Sequence, residues 1–310
     1  MKFLICDFRF SILVAHRPVR TRAIQNPRSK IQNSAFTLVE LLVMLGIVVV
    51  LIAIFIPYIS NLRESDARVR CSDNLRLIRN ALSGYAADHR DAYPRVRFNV
   101  TNPNSYTAYT GPDEANPFAP DSAVEPNDVT ASLWLLLRER RVESVKFVCP
   151  STWDRRDTYL DASGKKVRSK QRGNFRGPEH LSYSYASPFS SALEYELNAN
   201  KLRSAFAVMA DMSPGAPAAT VSHDSPPLER ARGNSPNHGG AGQNVLFGDG
   251  HVEWKDTPFC GIEDDNIYTA LLDRPLEIGE HPPANAPGYV GRDIGPAWVS
   301  DSYLVPTVED

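Results

Sequence analysis

Hydrophobic positions change rhythm several times along this chain. From Leu41 to Ile56 every residue is apolar, counting Gly46, and the wider stretch Phe36–Ile56 covers 21 positions with a single charge, Glu40. At 1.5 Å per residue a helix of that length is roughly 31 Å long, which matches the roughly 30 Å hydrocarbon core of a bilayer. A soluble core helix would show a polar face somewhere along such a run. A cleaved secretory signal would have a shorter apolar region and end in a small-x-small site; here Pro57-Tyr58-Ile59-Ser60 follows. The run therefore reads as one transmembrane helix over residues 36–57.

Past Pro57 polar residues return and the period becomes that of an amphipathic helix. Leu62, Val69, Leu75, Ile78, Leu82 and Tyr85 recur at spacings that keep one apolar face, with Arg63, Glu64, Asp66, Arg68, Arg70, Asp73 and Arg76 between them. This predicts a helix over 58–93, ended by Tyr93-Pro94, because proline disfavours helix in the residue before it. Residues 94–310 then read as a globular domain with mixed signals. Residues 99–129 and 154–180 read as long surface loops, and Asp211–Asn237 as irregular. Thr130–Arg141 reads as a helix with Leu133, Trp134 and Leu137 on one face. Val145–Cys149, Leu181–Tyr185 and Ala205–Met209 read as strands. Residues 237–254 form a glycine loop followed by a hairpin, with strands Asn244–Phe247 and His251–Trp254 around a tight Asp249-Gly250 turn.

Charge sharpens the membrane reading. Residues 1–35 hold seven basic side chains against one acid, Asp7, a net charge of +6, whereas the remainder carries 27 basic and 35 acidic groups, a net −8. A basic head before an apolar run is the positive-inside pattern, with the N-terminus cytoplasmic and the C-terminal domain extracytoplasmic. The acidic remainder lacks the basic surface that phosphate neutralisation requires, so no nucleic-acid partner is expected.

Glu40 is the residue that asks for an explanation. A carboxylate at the centre of a membrane helix costs about 2.5–3.5 kcal/mol on insertion scales, so it should have a partner. The segment Ala35-Phe36-Thr37-Leu38-Val39-Glu40-Leu41-Leu42 resembles the type IV prepilin processing motif, G-F-T-L-x-E before an apolar helix. The resemblance implies that a prepilin peptidase cuts between Ala35 and Phe36 and methylates the new N-terminus at Phe36. It also implies that Glu40 pairs with the terminal ammonium of a neighbouring subunit on assembly. Two buried charges compensate only when close, so such a pair would also set axial register. Pro57 falls 22nd from Phe36, where helices of that family carry a proline that loosens the helix. Ala35 stands where the family has Gly.

A second resemblance lies near the C-terminus. His238-Gly239-Gly240 through Asp249-Gly250-His251 is similar to the H-x9-D-G motif found with prepilin-type N-termini in planctomycete-type families, some labelled general secretion pathway protein G-like. Here ten residues, not nine, separate His238 from Asp249. Cys149-Pro150-Ser151 and Asp265-Asn266-Ile267-Tyr268 agree with that family. The implied fold class is α+β and pilin-like: a long N-terminal helix, membrane half plus soluble half, packed on a small antiparallel β-sheet with long loop insertions. The implied function is a pseudopilin or pilin-like structural subunit of the cytoplasmic membrane, serving a type II secretion or type IV pilus-like system. Its partners would be the membrane, the prepilin peptidase, and itself or other pseudopilins. The alternative is a membrane-tethered binding module that uses the motif for sorting.

Candidate chemistry beyond this is sparse. Asp211, His238, Asp249 and His251 are the one set of imidazole and carboxylate groups suited to a divalent metal. The alternative is turn chemistry, with Asp249 in an Asx-type turn and His251 on a strand face. Among Cys71, Cys149 and Cys260, which would face an oxidising space, one disulfide could form; Cys6 lies in the leader. The chain has no CxxC, P-loop, dinucleotide fingerprint or G-x-S-x-G, so an enzyme is not expected.

Overall fold

The computed structural model describes residues 36–274, 277 and 288–310, so the basic leader, Cys6 and Ala35 lie outside the described residues. The chain divides into two units, one ending at Ile54 and the other running from Phe55 to Asp310. The class is α+β: an N-terminal apolar helix and a five-stranded antiparallel sheet.

Helix α1 spans Leu38–Asp88, with Pro57 inside its bounds. Its start is set by a reciprocal cap. Thr37 Oγ1 accepts from the Glu40 amide at 3.2 Å, and Glu40 Oε2 accepts from both the Thr37 amide and its hydroxyl at 2.9 Å. This Thr-x-x-Glu capping box satisfies orphan donors of the first turn. Leu38–Ile56 is long and apolar enough to cross a bilayer, and its side chains are exposed throughout.

In the second unit the helix buries a seam that holds four of the six expected residues. Cys71, Leu75, Ile78, Leu82 and Tyr85 are buried, spaced four, three, four and three apart, with Ala81 and Ala86 beside them. Leu62 and Val69, expected on that face, are 52% and 58% exposed. At 100° per residue Val69 lies on the opposite side of the helix from Cys71. The helix ends at Asp88, before the expected Tyr93-Pro94. Arg90 and Asp91 turn left-handed (φ 56° and 63°), and the Asp91 amide closes back on the Ala86 carbonyl at 2.9 Å.

Strands β1 (Tyr183–Ala186), β2 (Ala207–Asp211), β3 (Gln243–Phe247), β4 (Val252–Lys255) and β5 (Leu304–Val305) form a sheet of order β4-β3-β2-β1-β5. Strands β1, β2 and β3 are buried at every position, and their apolar side chains share one core with the α1 seam. Period-two alternation then sorts the polar tips. Tyr183 and Tyr185 send hydroxyls to the α1 side, to Cys71 and to the Pro94 carbonyl, while Ser184 donates to Pro306 on the other side. Asp211 faces Tyr183 across the β1–β2 pair and so shares the α1 side.

Helix α2 (Val129–Arg138) is buried at nine of its positions and starts at Asp128, whose carboxylate accepts from the Ala131 amide at 2.7 Å. The expected strand at Val145–Cys149 is instead a 3-10 turn, Ser144–Phe147, followed by extended Val148. Phe147 is buried while Val145 points outward at 40% exposure, so alternation within those residues did not mark a ladder. The expected loops are irregular with most positions at least partly exposed, and each is pinned to the domain by a few buried residues. Tyr106, Val124 and Asn127 are buried in the first, and Phe175 with the Arg172–Asp157 ion pair in the second. Side chains replace the missing ladder there: Asn127 Nδ2 donates to the Asn102 and Ser105 carbonyls at 3.1 and 2.8 Å.

Candidate functional site

Two places carry chemistry. The first is the N-terminal turn of α1, where Glu40 is the one charged side chain of the apolar span Leu38–Ile56. Phe36 is 74% exposed just ahead of it. Within the chain the Glu40 carboxylate is held by Thr37, so its side chain already points back to the start of the helix.

The second is a buried cluster that four separate segments build. Cys71 comes from the α1 seam. Cys149 follows the Ser144–Phe147 turn, and its neighbour Val148 is tied to the helix by Asn74 Nδ2 at 3.1 Å. Asp211 is the last residue of β2, and His238 ends the short 3-10 turn Pro236–His238. That turn is capped by Ser235, which accepts from the Asn237 amide, and is stopped by Gly239 at φ 66°, a conformation that favours glycine. One ligand-type atom from each of the four residues lies within 4.8 Å of all the others, and all four residues are buried.

The contacts are specific. Cys71 Sγ donates to Asp211 Oδ1 at 3.0 Å and lies 3.1 Å from the Tyr183 hydroxyl. His238 Nε2 faces Cys149 Sγ at 3.6 Å and Asp211 Oδ2 at 3.4 Å. Its other nitrogen, Nδ1, lies 2.7 Å from Glu64 Oε1 and 3.0 Å from Ser151 Oγ. Asp211 is held in turn by the Asn244 amide at 2.7 Å, the Asn237 side chain at 3.3 Å and, through its carbonyl, the Tyr268 hydroxyl at 2.8 Å. Trp254 closes the site edge-on to His238 at 5.4 Å, with Arg68 stacked on its ring at 4.1 Å.

Electrostatics follow from this packing. Burial pulls the His238 imidazole toward neutrality, but its bonds to Asp211 and Cys149 outweigh that and lift it to about 10. The Cys71 thiol beside it brings the Cys149 thiol down to about 7 against the opposing effect of burial. Burial, with Cys149 and the Asp211 charge beside it, pushes the Cys71 thiol far up. For Glu64, burial acts upward, and the bonds from Ser151, His238 and Arg68 hold the carboxyl below its ordinary value. A thiol, an imidazole and a carboxylate in line resemble a nucleophilic relay in outline. Yet Cys149 and the His238 ring are sealed from solvent, and two surface clefts, of about 430 and 250 Å³, are lined by other residues. What the arrangement can do is hold a metal ion or join two sulfurs.

The structure brings together only part of the expected metal set. Asp211 and His238 meet, but Asp249 and His251 lie outside the cluster. They occupy the exposed β3–β4 turn, where Asp249 Oδ1 accepts from the His251 amide at 3.0 Å and its ring at 2.5 Å, as an Asx-type turn does. Gly250 takes φ 88° there. The turn sits five residues beyond Asn244, about 16 Å along the strand at 3.3 Å per residue. The other two members of the cluster are Cys71 and Cys149, which the sequence offered only as disulfide candidates. All three described cysteines are free thiols, and Cys260 sits apart, half-buried beside Asp265. The 4-3-4-3 spacing that runs from Cys71 to Tyr85 is the signal that places Cys71 inside.

The structure thus defines an α+β protein with, among the described residues, one candidate membrane-spanning helix near its N-terminus. Comparison with protein-family models, curated proteins and solved structures finds no match to this chain.

Proposed function

We propose that the chain is a pilin-like subunit: anchored in the cytoplasmic membrane by residues 36–57, cut after Ala35, and assembled with copies of itself or other pseudopilins. One observation carries this reading. A fully exposed apolar helix of membrane length has its only carboxylate, Glu40, in its first turn, three residues after a capping threonine and four after Phe36. A carboxylate at that depth gains little from lipid and much from an ammonium brought by a neighbour. Removal of residues 1–35 would create such an ammonium at Phe36, one helical turn from Glu40 along the axis. Apolar helices then pack side by side, and each carboxylate meets the terminus of the next subunit. The globular domain, with its sheet and buried α1 seam, is carried outside the membrane.

The test is a photo-crosslinking amino acid placed at Val43, Ile47 or Val50 of the full chain in membranes. Adducts with further copies, or with other subunits bearing similar helices, are expected. Adducts with lipid alone at all three positions would favour a tethered module that uses the motif only for sorting.

A further inference from the structure

The buried cluster matches a metal centre more closely than any other chemistry its residues allow. In a tetrahedral zinc site with Zn–S of about 2.3 Å and Zn–N or Zn–O of about 2.0–2.1 Å, sulfur and nitrogen ligands stand about 3.5 Å apart, and nitrogen and oxygen about 3.4 Å. Cys149 Sγ to His238 Nε2 is 3.6 Å, and His238 Nε2 to Asp211 Oδ2 is 3.4 Å. Two edges of the polyhedron are already at the lengths a bound ion would impose. All four ligand atoms lie within 4.8 Å of one another.

The surroundings point the same way. A metal-ligating histidine usually offers its second nitrogen to a carboxylate, which fixes the ring. His238 presents Nε2 to the cluster and Nδ1 to Glu64 at 2.7 Å, and Arg68 holds Glu64 in place at 3.2 Å. Asn237 and Asn244 do the same for Asp211. A disulfide between Cys71 and Cys149 would account for two of the four residues. It would leave the buried Asp211 carboxylate and His238 imidazole outside the bond, paired with each other at 3.4 Å. A cation uses all four.

We propose that Cys71, Cys149, Asp211 and His238 form a tetrahedral zinc centre, with Glu64 as the outer carboxylate that orients His238. The ligand chemistry selects the metal: two sulfurs and an imidazole exclude calcium and magnesium, which require oxygen. Four protein ligands in a buried site leave no open position, so the centre is structural. On binding, both sulfurs ligate as thiolates and His238 through an unprotonated Nε2, and the protons these groups carried pass to solvent. The ion ties α1 to β2 and to the two turns that carry Cys149 and His238. It fastens the soluble part of the long helix to the sheet, where many exported domains use a disulfide.

The experiment uses the full chain, extracted in detergent and purified without chelator. Elemental analysis should find about one zinc per chain. Replacement by cobalt(II) should give the intense visible bands of a tetrahedral ion and a sulfur-to-cobalt charge-transfer band. That spectrum needs no variant. Glu64→Gln, at a half-exposed position that leaves the core untouched, should weaken zinc binding by about 10–100-fold. Cys149→Ser should abolish the charge-transfer intensity contributed by that sulfur, while Cys260→Ser and His251→Ala keep the full spectrum and the full zinc content. The proposal is overturned if the wild-type chain takes up neither zinc nor cobalt, or if the cobalt spectrum lacks sulfur character. Peptide mapping without reductant that finds Cys71 joined to Cys149 overturns it equally.

Discussion

Replacing Glu40 by alanine separates two roles the residue plays, and Thr37→Ala is its partner experiment. The carboxylate costs about 2.5–3.5 kcal/mol at the centre of a membrane helix and less near its end, where Glu40 stands. It also closes the capping box with Thr37, through bonds of 2.9 and 3.2 Å, and a cap is worth about 1 kcal/mol. Glu40→Ala removes both, so membrane insertion should be unchanged or favoured by up to about 2 kcal/mol. Assembly should respond in the opposite sense. Leaving a buried ammonium without its carboxylate costs about 3–5 kcal/mol, at least about a hundredfold in subunit association. Thr37→Ala loses the cap but keeps the charge, so its effect on association should stay within about fivefold. The assay scores processed chain only, comparing the carbonate-resistant membrane fraction with the sheared filament fraction. Glu40→Ala assembling within fivefold of wild type would refute the charge pairing. Thr37→Ala failing as badly as Glu40→Ala would reduce Glu40 to a helix cap.

Two further predictions concern the globular domain. Ile78, fully buried in the α1 seam, should lose about 2–5 kcal/mol of stability on change to alanine, whereas Val69→Ala, on the exposed side, should stay within about 0.5 kcal/mol. Denaturant unfolding of the full chain in detergent decides this, and equal losses would contradict the assigned helix face. Asp265 and Asp301 are both buried, each with one carboxyl oxygen unpartnered. Burial raises Asp265 to about 7, and burial together with the charge of Asp265 raises Asp301 well above the ordinary range. The native state therefore keeps protons that the unfolded chain has lost above about pH 4. Stability should fall as pH rises from about 4 to about 7, by up to about 1.4 kcal/mol per unit for each proton retained. Asp301→Asn, which can still accept from the Leu271 and Ala297 amides, should flatten that slope. A flat wild-type profile over the same range would show that the carboxyls ionise freely.

Sequence and structure agree where the signal is local and periodic. The apolar span, the existence of α2 though not its burial on every side, the strands around Tyr183 and Val208, and the Asp249-Gly250 hairpin were all readable from period and turn chemistry. Leu62 and Val69 misled because spacing alone fits two stripes of one helix, and only the sheet decides which stripe is covered. Val145–Cys149 misled because alternation over so few residues also fits a 3-10 turn. The two-residue strand at Leu304–Val305 is too short to carry a pattern. The cluster was half legible. Asp211 and His238 stood out as ligand types, but Asp249 and His251 were grouped with them through nearness in sequence, and the hairpin carries those two away. Cys71 and Cys149 lie far from His238 along the chain, and only the packing of α1 on the sheet brings them to it.

The most direct measurement is the intact mass and N-terminal analysis of the protein extracted from membranes. A processed pilin-like subunit is expected to begin with N-methylated Phe36 and to need detergent to stay in solution. A chain that still carries residues 1–35, or one that is recovered soluble without detergent, would contradict that expectation.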